Sequence, residues 1–273
     1  MDLRALRAFE VEVKHLCPDL QIRFKDQSFS QKVLAFLLPL NPTFSTRNST
    51  TVYPTVYFPS KSAYEAHPWS SFLMLAHEMV HLLDAKAKPV WSWVSYLLPQ
   101  LLAVVPLAAF AYFTRQQAWP LAIVASSYLF GCMVGRKFLA AFYVAVLGGV
   151  VASGVLAVLF THWYSVYLFA GLVLMAPWPS PWRTNSGVRG YSMNMAITYW
   201  ALGRVPQIYR TGIAYHFTGS RYYYTDWSGV YTRKRLDAVV DLAQSGELQK
   251  ELPFSVVYSF MRRHKLLHQE NAH

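Results

Sequence analysis

Apolar and polar positions change their rhythm twice along the chain. In the opening MDLRALRAFEVEVKHL, residues Leu3, Leu6, Phe9, Val13 and Leu16 recur at helical spacing. They define one apolar face, so the segment predicts an amphipathic helix. Packing on a folded part suits it better than lying on a bilayer, because Glu10 and Glu12 would be repelled by anionic lipid. The same charges interrupt any apolar core a signal peptide would need. LQIRFK then alternates in the manner of a short strand, and the Pro/Asn/Thr/Ser stretch around Asn41 to Thr51 reads as a loop. VYPTVYF, from Val52 to Phe58, has strand composition, and Pro54 marks it as an edge strand. Pro68 and Ser70 introduce a helix from about Ser71 to Lys86, which Pro89 ends.

From Trp91 to Trp178 the rhythm gives way to long apolar runs. Trp91 to Phe113, Trp119 to Val134, Phe138 to Phe160 and Tyr164 to Trp178 are read as transmembrane helices, each compared with the roughly 20 residues that cross a bilayer. Trp91, Trp119, Trp163 and Trp178 collect at their ends, as headgroup anchors do. After Arg183 the polar positions return. GYSMNMAITYWALG reads as a helix, IAYHFTG and RYYYTDW as turn- and strand-rich, and TRKRLDAVVDLAQSG as an amphipathic helix stopped by Gly246.

The organisation expected is therefore a zincin-like soluble part over residues 1–89, transmembrane helices over 90–182, and a soluble C-terminal part over 183–273 that completes the first. In fold class this is a mainly α membrane protein, with about four transmembrane helices and an α+β zincin-like soluble domain. Composition favours the same reading. Hydrophobic residues make up 54% of the chain and charged residues 14%, against about a quarter charged in soluble domains. No carboxylate occurs between Asp84 and Asp226.

The net charge of +11 adds sidedness. Lys and Arg number ten up to Lys88, three between Val90 and Trp182, and twelve from Arg183 onward. An even number of spans with basic flanks predicts a multi-pass protein with both soluble parts in the cytoplasm. Arg233, Lys234, Arg235, Arg262 and Arg263 are then explained by anionic lipid beside them, and no nucleic-acid partner is expected. Cys17 and Cys132 are too few and too far apart for a disulfide framework.

The chemistry is concentrated in MLAHEMVHLLDA. His77, Glu78 and His81 form H-E-x-x-H. Residues four apart stack one turn above each other on a helix, so both imidazoles can reach one Zn²⁺. Glu78 projects beside them, where it can act as general base on the water that the metal activates. A lone histidine in an apolar helix is usually a satisfied core residue. Two at this spacing with a glutamate between them would be costly to bury without a metal or another partner. Asp84 lies on the same face, either as an acceptor that orients a ligand imidazole or as a solvated carboxylate near the helix end.

The H-E-x-x-H helix followed by membrane spans and a later soluble helix resembles membrane-embedded zinc peptidases of the gluzincin type, such as the CAAX prenyl endopeptidase and the heat-shock membrane peptidase. In that family the later helix supplies a glutamate ligand within an E-x-x-A-D motif. By spacing, Gly187 stands here at the glutamate's place, Gly190 at the small residue's and Tyr191 at the aspartate's. The third ligand is then His216, Asp226, Asn185 or none.

The resemblance implies a membrane-bound, zinc-dependent endopeptidase. Its partners would be a polypeptide substrate and the lipid bilayer, its metal ligands His77 and His81, and its base Glu78. The alternative is an inactive peptidase-like membrane adaptor that binds polypeptides without cutting them.

Overall fold

A computed structural model describes residues 1–37, 43–91, 181–219, 225–226 and 228–268. Helix α1 (Leu3–Leu16) starts where the Asp2 carboxylate accepts the Ala5 amide at 2.8 Å. Its face of Leu6, Phe9 and Val13 is wholly buried. Strand β1 (Gln21–Phe24) follows, then a single 3₁₀ turn (Lys25–Gln27) and helix α2 (Phe29–Leu37). Strands β2 (Thr50–Val52) and β3 (Thr55–Phe58) form a hairpin around Tyr53 and Pro54.

The sheet order is β1-β3-β2, with β1 parallel and β2 antiparallel to β3. VYPTVYF is thus not one edge strand. Its second half is the central strand and its first half ends the true edge, β2. Pro54 misleads because it sits in the turn, where a missing N–H disturbs no ladder bond.

Short helix α3 (Lys61–Ala66) leads into α4 (Pro68–Ala87), which carries the H-E-x-x-H motif. Proline opens this helix without loss, since the first-turn amides have no helical partner. The Lys88 amide closes it on the Asp84 carbonyl at 3.0 Å. Phe72, Leu75, Ala76, Met79 and Leu82 are all fully buried, so α4 runs through the core with protein on more than one side.

Helix α5 (Pro181–Leu202) packs along α4. Helices α6 (Gln207–Thr218), α7 (Val230–Gln244) and α8 (Phe254–Arg263) complete the described chain. One apolar core joins the early and late segments. Phe9 meets Phe72 and Phe260 at ring-centroid distances of 4.7 and 4.9 Å, and Trp200 from α5 lies fully buried in the same cluster. Burying such side chains supplies about 1.5–3 kcal/mol each.

The segment IAYHFTG is helical, not strand-rich: Ile213, Ala214 and Phe217 share one buried face of α6, and that burial overrides the local preference of its aromatic and β-branched residues.

The membrane fold class needs a larger correction. Among the described residues no helix is long and apolar enough to cross a membrane. The described chain is mainly helical, with one small sheet. The spans expected from Trp91 to Trp178 lie, beyond Trp91 itself, outside the described residues. The placement of both soluble parts in the cytoplasm rested on those spans and falls with them.

Candidate functional site

The motif residues occupy adjacent turns of α4, and each meets a different element. His77 and His81 turn toward α5, and their Nε2 atoms stand 3.2 Å apart. Two nitrogens bound to one tetrahedral Zn²⁺ at about 2.0–2.1 Å would be roughly 3.3 Å apart, so the pair presents two of four coordination positions. Without a metal, the same distance suits an N–H···N bond between one imidazole and the other. Both residues are of intermediate burial.

Helix α5 comes close because it carries glycine at the contact. A Cβ on Gly190 would lie 2.5 Å from His77 Nε2 and 2.6 Å from its Cε1. The missing side chain lets the His77 ring pack directly against the α5 backbone. Beside it, the Tyr191 ring stands edge-on to His77 with centroids 4.9 Å apart, and stacks on His216 at 6.2 Å. On the other histidine, Ser186 Oγ is 3.5 Å from His81 Nδ1, a long contact.

Glu78, at the next position of the helix, reaches the sheet edge. Ser49 Oγ donates to one carboxylate oxygen at 2.5 Å and Thr51 Oγ1 to the other at 2.6 Å. The residue is buried. Burial alone would raise its pKa, but the histidines and the two hydroxyls outweigh this and hold it below the ordinary carboxylate range. His77 is pushed down to about 4, chiefly by desolvation and then by His81, against the pull of Glu78. At neutral pH His77 is therefore a neutral imidazole, the form that binds metals.

The remaining sequence candidates do not join this centre. Asp84 pairs with Arg189 of α5 at 2.8 Å, so it links two helices and does not orient a ligand imidazole. Asp226 accepts from the Gly229 and Thr232 amides and from both the Thr232 and Ser228 hydroxyls, which spends it on starting α7. Asn185 Oδ1 accepts from the Tyr231 hydroxyl at 3.3 Å.

Among the described residues no group of three or more His, Cys, Asp or Glu is placed to hold a metal ion, so neither His216 nor Asp226 completes a ligand set with the motif. Ser49, Thr51 and Ser186 were missed by sequence reasoning. They lie in a polar loop, in the short strand that follows it and early in α5, where no periodicity singles out one hydroxyl from its neighbours.

No protein-family model matches the chain, and no curated protein or solved structure matches it either. The resemblance to membrane-embedded gluzincins is corrected accordingly. It rested on one five-residue motif and an order of parts. Neither a crossing helix nor a full zinc ligand set is found among the described residues.

Proposed function

We propose that the chain is a hydrolase that cuts peptide bonds at His77, Glu78 and His81, with a divalent ion such as Zn²⁺ held by the two histidines. The observation that carries this reading is the convergence of the two Nε2 atoms at 3.2 Å beside a buried, ionised carboxylate. Gly190 lets α5 close directly on the His77 ring, which packs the imidazole in that position. When bound, such an ion supplies Lewis-acid polarisation of a carbonyl and acidifies water.

The chain's own residues do the rest. Glu78 receives a proton from water and later returns it to the departing amine. Ser49 and Thr51 hold both of its oxygens so that the carboxylate stays charged and aimed. Edge strand β2 carries Thr51, and its outer side has no strand partner among the described residues. An extended polypeptide can add there by main-chain hydrogen bonds, which would lay its backbone next to Glu78.

A second reading is favoured by the absence of a third metal ligand among the described residues. Two protein ligands bind zinc less firmly than three, and a chain that binds polypeptides at β2 without cutting them would need none. Peptide hydrolysis by the zinc-loaded full chain separates the two. Glu78→Gln is expected to keep its zinc and lose about 10²–10⁴-fold in turnover. Turnover that survives this change would remove Glu78 from the proposed role, and a wild type that binds peptide but never cuts it would favour the binder.

A further inference from the structure

Behind strand β2, on the side away from Glu78, lies a second buried titratable group that the proposed chemistry does not use. Lys25, in the 3₁₀ turn after β1, is only 2% exposed. Its Nζ donates to the Phe44 carbonyl at 2.9 Å and to Thr50 Oγ1 at 2.7 Å, and lies 3.5 Å from the centre of the Phe44 ring. Burying an ammonium costs several kcal/mol unless the surroundings repay it. Here both hydrogen-bond partners belong to one stretch of chain, Phe44 to Thr50.

That stretch ends in the residues that grip Glu78. Successive strand residues face opposite sides of a sheet. Thr50 accordingly points to Lys25 and Thr51 to Glu78, and Ser49 reaches the same carboxylate. The register ties this to the sheet, with Thr50 opposite Tyr57 and Thr51 opposite Val56 on the central strand. Between Lys25 and Glu78 only this one strand intervenes, and Glu78 is the charged group that acts on Lys25 most directly.

We propose that Lys25 is a positioning residue for Glu78. It clamps the segment from Phe44 to Thr50 from behind, so that Ser49 and Thr51 present their hydroxyls to the carboxylate at fixed positions. This rests on the hydrolytic reading for its consequence, but the clamp itself is a property of the chain alone. A role in stability only would leave the loop and the turnover uncoupled.

The test compares the full chain with Lys25→Met, Lys25→Arg and Thr50→Val by two readouts. One is amide hydrogen exchange over residues 43–52 in metal-free protein. The other is turnover against KM for peptide hydrolysis, at matched zinc content. Lys25→Met is expected to speed exchange in 43–52 selectively and to lower kcat about tenfold or more through misplacement of the base. KM should stay within about twofold, because the change touches no substrate contact. Lys25→Arg should recover part of both losses. Thr50→Val, which removes one of the two clamp partners and is the milder change, should show smaller shifts of the same kind.

Unchanged exchange over 43–52 in Lys25→Met and Thr50→Val would overturn the proposal, as would faster exchange with wild-type kcat. If Lys25→Met fails to fold, Thr50→Val decides. A wild type without hydrolysis would defeat the hydrolytic reading by itself, while the exchange comparison would still show whether Lys25 holds the segment.

Discussion

Glu78 and the two histidines share one stretch of α4, yet the structure treats them in opposite ways. On the sheet side, the carboxylate has a hydroxyl on each oxygen, and the strand bearing those hydroxyls is backed by a buried lysine. On the α5 side, the imidazoles face each other, the bare backbone of Gly190 and one long serine contact. The first arrangement is fully satisfied. The second leaves two nitrogens that only an ion or one shared proton can satisfy. The difference teaches that the polar groups near α4 are spent on fixing the carboxylate, while the two imidazoles depend chiefly on each other.

The comparison can be broken first at the glutamate, where Glu78→Gln carries the largest expected effect, the loss of turnover with metal retained. Overpacking the contact between α4 and α5 comes next. In Gly190→Ala the new Cβ would overlap His77 Nε2. We expect zinc binding to be lost and stability to fall by about 1–3 kcal/mol, as overpacking typically costs. Equilibrium unfolding and metal analysis check both. Wild-type zinc content in this variant would show that ion binding does not depend on where His77 sits against α5.

The satisfied side can be loosened one hydroxyl at a time. Ser49→Ala or Thr51→Val should each destabilise the fold by about 1–3 kcal/mol, the usual cost of an unmet buried polar group. Each should also raise the pKa of Glu78, visible as a shift of the acidic limb of the pH–rate profile to higher pH. The smallest effect is on acid stability. His77 titrates at about 4 in the fold against an ordinary 6.5, so between these values the unfolded chain binds more protons than the folded one. Metal-free protein should therefore lose stability as pH falls from about 6.5 toward 4. Lowered Glu78 acts in the same direction. In His77→Gln the slope over that window should flatten, as followed by thermal midpoints.

Much of the fold was legible wherever periodicity was strong. The face of Leu6, Phe9 and Val13 did predict a packed helix, and the H-E-x-x-H spacing did place two imidazoles together. Legibility failed where a residue's meaning depends on distant chain. Lys25 reads as one more charge after a strand, and Ser49 and Thr51 as loop polarity, until the sheet folds them around Glu78. Asp226 offered a carboxylate at a tempting place and proved to be a helix cap. The long apolar runs invited a bilayer reading, but the described helices include none able to cross one.

The central claim is that His77 and His81 grip one ion beside Glu78. An X-ray absorption spectrum of the full chain loaded with one equivalent of zinc tests it most directly. The account predicts two imidazole nitrogens at about 2.0 Å with lighter oxygen donors filling the shell, and one imidazole fewer in His81→Ala. Zinc that fails to bind, or a shell without two imidazoles, would contradict it.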